Sequence, residues 1–160
     1  MTPKSPTYNT RIAVFPGTFD PFTIGHYSVV MRALDMFDNI IVAIGINDTK
    51  NPCFTVQTRC DIIRKVFANE PRVSVVTYSA LTVDVAREIG AKYILRGVRT
   101  AQDFEFEKNL ADINRNLSGI ETVLLYSLPE HAFISSSVVR ELLRYGRDVT
   151  EFLPPGVKLQ

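Results

Sequence analysis

Residues 11–26 read RIAVFPGTFDPFTIGH, and this stretch decides the fold. Its apolar start, 11–15, predicts a buried strand that ends in a tight turn at Pro16-Gly17. The loop that follows therefore joins the carboxyl end of a strand to the amino end of a helix, where backbone N–H groups and the helix dipole favour a bound phosphate. The helix is predicted because apolar residues recur on one helical face, at Val29, Val30, Ala33, Leu34 and Phe37.

His26 falls in the first turn of that predicted helix, where its ring could hydrogen-bond a phosphate oxygen. Gly17 and Gly25 permit close approach of the backbone, and Thr18 offers a hydroxyl group. The alternative for His26 is a histidine that only caps the helix or packs against it. We favour the functional interpretation, because Thr-x-Gly-His at a helix start is more specific than a glycine and a threonine after a strand.

Composition excludes several classes of protein. The chain has 160 residues, 46% hydrophobic and 22% charged, which suits one soluble globular domain. A net charge of +1 argues against a nucleic-acid platform, and no apolar run approaches the ~20 residues of a membrane span. Cys53 and Cys60 show no metal-ligand spacing, so we expect reduced thiols in a cytoplasmic protein. Residues 1–10 are polar and are expected to form a flexible N-terminal extension.

Strand-like and helix-like segments alternate along the chain. This alternation predicts a single α/β domain, a Rossmann-like doubly wound fold with a five-stranded parallel sheet. In the fourth predicted helix, apolar residues are spaced as on one face at Phe106, Leu110, Ile113 and Leu117. The predicted strands are 11–15, 39–46, 73–78, 93–96 and 121–126, and the predicted helices are 25–37, 56–68, 82–90, 103–117 and 136–145.

Polar residues of interest cluster in the segments that follow the predicted strands. In an open α/β sheet, ligands bind outside the carboxyl ends of the strands, so these segments should meet at one rim. Both histidines of the chain, His26 and His131, fall within them. The segments are Thr18 to His26, Asn47 to Lys50, Ser79 to Thr82, Gly97 to Asp103, and Ser127 to Ser137.

Cationic residues on this rim are candidates for anion contacts. Lys50 is expected to contact an anion, although a solvated loop lysine would have the same sequence. Arg96 and Arg99 stand on either side of Gly97, where the fourth predicted strand ends and a loop begins, and they could form forked hydrogen bonds with phosphates. The alternative is that the arginines form ion pairs with Asp103 or Glu105.

Two further groups of polar residues have both a functional and an ordinary explanation. Asp103, Glu107 and Asn114 form a polar strip opposite the Phe106 face, which a solvated helix face explains equally well. Ser135 to Ser137 precede an amphipathic helix. One serine there is an ordinary helix cap, but three in succession also suggest contacts with a phosphate or nucleotide.

Together these motifs resemble the nucleotidyltransferase superfamily. Gly17 to Pro21, Thr23-Ile24-Gly25-His26 and Ile134 to Ser137 carry that resemblance. Arg96 to Arg99, followed by Asp-Phe-Glu-Phe-Glu at 103–107, narrows it to phosphopantetheine adenylyltransferase. Ala80 stands where many members carry an acidic residue.

The resemblance implies transfer of the adenylyl group of ATP to 4′-phosphopantetheine, with Mg²⁺, in coenzyme A biosynthesis. It also implies a homo-oligomer, a hexamer, with coenzyme A as a feedback ligand. The residues that it makes catalytic are His26, Lys50 and Arg99, with His26 stabilising the transition state. For ATP it implies Thr18, Phe19, His26, Gly97, Val98, Arg99, Glu107, His131, Ala132, Phe133, Ile134, Ser135, Ser136 and Ser137, and for phosphopantetheine Thr18, Lys50, Leu81, Thr82, Arg96 and Asn114.

Such a reaction needs no strong base, because a phosphomonoester has a second pKa near 6 and is already anionic at neutral pH. It needs cations and fixed donors that hold two polyanions together. Two alternatives remain. One is a sister transferase acting on nicotinate mononucleotide or a cytidylyl acceptor, which would share the first motif only. The other is a nucleotide-binding regulator without turnover.

Overall fold

The structure is a computed structural model of the chain, and it describes residues 10–47 and 51–159. Lys50 lies outside the described residues. So does the predicted N-terminal extension, apart from Thr10.

Five strands and five helices alternate in the described residues, as the sequence predicts. Two short 3-10 turns, Pro129–His131 and Thr150–Phe152, flank the last helix. Within the described residues, no helix combines the length and the apolar character needed to cross a membrane. The strands are β1 (Ile12–Gly17), β2 (Asn39–Gly45), β3 (Val73–Tyr78), β4 (Tyr93–Val98) and β5 (Glu121–Tyr126), and the helices are α1 (Ile24–Ala33), α2 (Val56–Val66), α3 (Thr82–Glu88), α4 (Ala101–Ser118) and α5 (Ser136–Arg144).

The sheet is parallel throughout, in the order β3-β2-β1-β4-β5. The chain winds outward from β1 to β3, then crosses back and winds outward again from β4 to β5. The predicted doubly wound α/β fold is therefore confirmed. The order of the strands reverses between β1 and β4, and this is the point at which such sheets bind ligands.

Alternating side chains of β1 pack into two apolar layers. Ala13 and Phe15 join the cluster that includes residues of α1 and α2, whereas Val14 joins the cluster that includes residues of α3. Helix α4 contacts α3, β4 and β5. Burial on both faces explains why the strands read as nearly continuous apolar runs in the sequence.

Strand β1 continues through Pro16 and Gly17, where the sequence predicted a turn. It pairs with β2 along its whole length but with β4 only at Ala13 and Val14. The N–H and C=O of one residue in an extended strand point to the same side. The Pro16 carbonyl accepts a hydrogen bond from the Arg96 side chain, so the missing N–H of Pro16 faces β4. A proline fits here because β1 and β4 have already separated.

The apolar stripe of helix α4 is exposed, although such a stripe usually packs against the core. Phe106 is 61% exposed, and Leu110, Ile113 and Leu117 are also exposed, while Glu107 is buried. The interpretation of Glu107 as part of a solvated face is therefore wrong. The periodicity identified the apolar stripe correctly, but an ion pair between Glu107 and Arg96 turns the polar face inward.

The turn after β1 has a strained backbone. Phe19 has a φ of 51°, in the left-handed region that residues other than glycine rarely adopt. Its ring lies directly over Gly17, where an added Cβ would come within 2.7 Å of the ring. Position 17 therefore favours glycine, because the Phe19 ring occupies the space that a side chain would need.

We predict that Gly17→Ala lowers the free energy of unfolding by about 1–3 kcal/mol, because the Phe19 ring must move away from the new methyl group. Thermal and urea unfolding measure the change. Gly25→Ala is the matched control, since a Cβ there meets only the Thr23 hydroxyl at 3.5 Å, an ordinary contact. Equal stability of Gly17→Ala and the unmodified protein would contradict the close packing of the Phe19 ring on Gly17.

Candidate active site

Two cavities lie where β1 and β4 separate, and a third lies nearby. They have volumes of about 510, 350 and 220 Å³, and Thr18 lines all three. The largest is bounded by the β1–α1 turn, the end of β4, helix α4 and the start of α5. The second runs along α4 toward β3, and the smallest lies beside the ends of β2 and β3.

Most of the predicted site residues meet in these cavities. Arg96 and Glu107 line both of the larger ones. The largest is also lined by Phe19, His26, Gly97, Arg99, Ile134, Ser135, Ser136 and Ser137, and the second by Thr82 and Asn114.

Five predicted residues that the structure describes line none of the three cavities. Val98 is buried in β4, Leu81 is exposed, and the Phe133 ring lies edge-on to Phe152. His131 and Ala132 lie in and just after the first 3-10 turn. Ligand contacts by these five residues stay predictions, as does the role of Lys50.

His26 both caps a helix and faces the cavity. It is the third residue of α1, and its Nδ1 accepts a hydrogen bond from the backbone N–H of Thr23 at 3.0 Å, while the Thr23 hydroxyl accepts one from the His26 backbone N–H. An Nδ1 that accepts has no proton, so the neutral ring carries its proton on Nε2. Among residues 10–47 and 51–159, no group hydrogen-bonds Nε2. The Nε2–H group is thus available as a donor to a ligand.

Three phenylalanine rings surround the His26 ring. Phe19 meets it edge-on with the ring centroids 5.0 Å apart, and Phe22 and Phe15 lie at 5.3 and 6.2 Å. Burial is the main reason that the pKa of His26 falls to about 3, and the positive charges of Arg96 and Arg99 lower it further. His26 is therefore neutral at physiological pH, in the form that donates from Nε2.

Arg96 is held by Glu107. Its Nε and Nη2 donate to the two carboxylate oxygens of Glu107 at 2.9 and 2.7 Å, and its Nη1 donates to the Pro16 carbonyl. Among the described residues these are its only partners, so Nη1 and Nη2 each keep one N–H for an anion. The forked pair fixes the plane of the guanidinium without using all of its donors.

Arg99 is held in a similar way by Asp103, one helical turn before Glu107. The Asp103 carboxylate accepts hydrogen bonds from the backbone N–H of Arg99 at 3.0 Å and from its Nε at 3.3 Å, and Arg99 Nη1 donates to the Ile134 carbonyl. The predicted alternative of an ion pair with Asp103 is therefore correct for Arg99. Arg96 pairs with Glu107, not with Asp103 or Glu105.

The three serines before α5 have separate roles. Ser135 is the N-cap residue and accepts from the backbone N–H of Val138 at 3.2 Å, as a single capping serine would. The Ser136 hydroxyl donates to the Pro21 carbonyl at 2.8 Å. The Ser137 hydroxyl accepts from Arg140 at 3.1 Å. All three line the largest cavity, and the first N–H groups of a helix such as α5 have no partner within the helix.

Sequence reasoning missed Asp20, Arg59 and Arg140. Asp20 and Arg140 line the largest cavity, and Arg59 lines the smallest. Asp20 stands inside the first motif, which was a usable signal. Arg59 and Arg140 lie within helices, and each donates to a carbonyl group of the distant β1–α1 turn, a contact that no local pattern indicates.

Within residues 10–47 and 51–159, no group of three or more His, Cys, Asp or Glu side chains is arranged to hold a metal ion. The described side chains thus do not form a magnesium cage of their own. Mg²⁺ usually binds proteins through one or two carboxylates together with substrate phosphates.

Comparisons with known proteins decide between the branches of the superfamily. The Cytidylyltransferase-like family model matches residues 14–142. A phosphopantetheine adenylyltransferase of Phocaeicola vulgatus is 56% identical over 93% of this chain and 99% of its own. The Bacteroides fragilis protein of the same name is 52% identical over the same shares. The chain belongs to the phosphopantetheine adenylyltransferase family. The predicted family, enzyme class and adenylyl transfer reaction are confirmed.

Solved structures of other adenylyltransferases share the fold of this family member. A putative nicotinate-nucleotide adenylyltransferase of Vibrio parahaemolyticus superposes with a TM-score of 0.64 at 20% identity, over 92% of this chain and 95% of that one. A bifunctional NMN adenylyltransferase of Francisella tularensis superposes with a TM-score of 0.70 at 16% identity, over 93% and 46%. At such identities the likeness extends to the fold alone.

We predict that Glu107→Gln in this adenylyltransferase lowers the free energy of unfolding by roughly 2 kcal/mol. The Glu107 side chain is 7% exposed, and its loss leaves Arg96 charged without its carboxylate in a low-dielectric site. Urea unfolding at pH 7 measures the change. Glu105→Gln, on the exposed side of the same helix, should change stability by no more than about 0.5 kcal/mol. Similar effects of the two substitutions would show that the buried ion pair between Glu107 and Arg96 contributes no more to the free energy of unfolding than an exposed glutamate does.

Proposed function

We propose that catalysis in this adenylyltransferase rests on positioning and on fixed positive groups, without a covalent enzyme intermediate. A phosphate oxygen of 4′-phosphopantetheine attacks the α-phosphorus of ATP. The bond between the α-phosphorus and the oxygen that bridges it to the β-phosphorus breaks, and pyrophosphate leaves. The products are dephospho-coenzyme A and pyrophosphate. The attacking phosphate is anionic at neutral pH because its second pKa lies near 6. The observation that supports this proposal is the neutral His26, whose Nε2–H is free, among the described residues, in the cavity that Arg96 and Arg99 also line.

In this proposal ATP occupies the largest cavity. The start of α5 faces its β- and γ-phosphates with the N–H groups of Ser136 and Ser137, and Arg99 adds a positive charge at the rim. Phosphopantetheine occupies the second cavity, with its arm along Thr82 and Asn114. Thr18 lines both cavities and would contact the phosphates where they meet.

His26 would donate from Nε2 to an α-phosphate oxygen, where negative charge builds up during transfer. A neutral donor suits this role because it keeps its proton throughout and needs no reorganisation. Removal of one such donor typically lowers kcat by about 100-fold or more. Arg96 lies between the two larger cavities and is assigned to the acceptor phosphate, together with Lys50, while Arg99 is assigned to ATP.

We propose that Mg²⁺ enters with ATP as part of the substrate complex, because the phosphates supply the ligands that the described side chains do not. The chain's own contribution is to bind and orient the phosphates of that complex through its arginines and backbone N–H groups.

We also propose that the enzyme works in the cytoplasm as a homo-oligomer, a hexamer by its resemblance. The exposed apolar face of α4 supports a contact between copies at Ile113 and Leu117, while Phe106 and Leu110 on the same face also line the substrate cavities. Free Cys53 and Cys60 support a reducing compartment. Coenzyme A contains the phosphopantetheine arm, so it is expected to compete as a feedback ligand in the second cavity.

The decisive experiment measures pyrophosphate release from MgATP with a panel of acceptors. We predict turnover with 4′-phosphopantetheine and none above background with nicotinate mononucleotide. The reason is that Arg96, Glu107 and Asn114 line the acceptor cavity together. Turnover of the nicotinate acceptor at an equal or higher rate would contradict the assignment. ATP binding without turnover of any acceptor would favour a regulator.

His26→Ala is the control variant in that assay. It should bind both substrates but release pyrophosphate about 100-fold more slowly than the unmodified enzyme. Signal that persists unchanged in this variant would indicate a contaminating activity.

A further inference from the structure

Asp20 and Arg59 are two charged side chains that none of the substrate assignments uses, and both are buried, at 4% and 3% exposure. Within the described residues neither forms an ion pair. Their partners are backbone groups instead. A buried charge is costly unless it is well hydrogen-bonded, so the arrangement of these partners is informative.

Asp20 and Arg59 both hydrogen-bond the backbone of the segment before α2, at Cys53 and Phe54. The Asp20 carboxylate accepts hydrogen bonds from the N–H groups of Cys53 at 2.7 Å and Phe54 at 2.8 Å. Arg59 Nε donates to the carbonyl of Phe54 at 3.1 Å, and its Nη1 donates to the carbonyl of Thr18 at 2.7 Å. The β1–α1 turn is thereby tied to the segment before α2 on both sides of Phe19.

Phe19, the residue between these two ties, has the strained φ of 51°. A left-handed backbone is unfavourable at a non-glycine residue and persists only where its surroundings hold it. Arg140 adds a hydrogen bond to the Asp20 carbonyl at 2.7 Å, and Ser136 adds the one to Pro21. The strained residue is thus held by its neighbours on both sides.

The strained turn sets the place of the His26 ring. The Phe19 ring packs edge-on against His26 at 5.0 Å, with the planes at 88°. With φ in the ordinary negative range, the Phe19 ring would leave this position. The His26 ring would then lose one wall of the pocket that keeps it desolvated and oriented.

We propose that Asp20 and Arg59 are positioning residues for phosphoryl transfer: they hold Phe19 in its strained conformation and thereby fix the His26 imidazole. The proposal rests on the role of His26 proposed above. In this proposal both residues act through the backbone groups that they hydrogen-bond, and not on the reacting atoms. A purely structural role would stabilise the fold without changing the rate of the folded enzyme.

The test compares Asp20→Asn and Arg59→Lys with two matched controls on the exposed side of α2, Asp61→Asn and Arg64→Lys. We expect each test variant to lower kcat by about 10-fold or more while the KM for ATP changes by less than about 3-fold, because a misplaced donor weakens the transition state more than the ground state. The controls should keep kcat within about 2-fold.

A double-mutant cycle with His26→Ala separates positioning from general stability. With His26 absent, Asp20→Asn and Arg59→Lys should lower kcat by no more than about 2-fold further, since there is no imidazole left to position. The same fold loss with and without His26 would overturn the proposal. So would a lowered melting temperature with unchanged kcat. Arg59→Lys decides the matter if Asp20→Asn does not fold.

A second readout does not depend on turnover. The chain contains only two histidines, so the ring proton resonances of His26 can be assigned with a His131→Gln variant. Asp20→Asn should shift the His26 resonances, and Asp61→Asn should not. Unshifted His26 resonances in folded Asp20→Asn overturn the positioning role, whereas absent turnover in the unmodified enzyme overturns only the proposed function.

Discussion

The separation of β1 from β4 is the constraint on which the rest of the site depends. The two strands pair only at Ala13 and Val14, and Pro16 cannot extend the ladder because it has no N–H. The Arg96 side chain donates a hydrogen bond to the Pro16 carbonyl, which has no backbone partner on β4. A guanidinium group therefore lies between the two strands where they have separated. A crevice with a positive wall is thereby built into the centre of the sheet.

Helix α4 then determines where the charges lie. Asp103 and Glu107, one turn apart, each hold one arginine of the crevice, and Glu107 does so from a buried position. The two arginines in turn help to keep His26 neutral, so the ring acts as a donor and not as a third cation. Fixed donors and cations of this kind stabilise a transferring phosphoryl group without rearrangement during the reaction.

Sequence reasoning reached the fold and the main loops because each depends on local patterns. The apolar strands, the helix starts and the first motif are all readable within a few residues. The orientation of α4 was not readable, because it depends on Glu107 meeting Arg96 across the crevice. Arg59 was missed for a similar reason: its acceptor on Thr18 lies 41 residues away in the sequence. The sequence left His26 as either a helix cap or a functional residue. The structure allows both, because Nδ1 accepts the capping hydrogen bond and Nε2, within the part of the chain that the structure describes, stays free for a ligand.

The most direct test of the account is the protonation state and tautomer of His26. Two-dimensional ¹H–¹⁵N NMR spectra of the imidazole rings, recorded from pH 8 to pH 4.5, report which nitrogen carries the proton. We expect a neutral ring protonated on Nε2 across this range, since the pKa of His26 is lowered to about 3. A ring that becomes doubly protonated near pH 6.5, or that carries its proton on Nδ1, would contradict it.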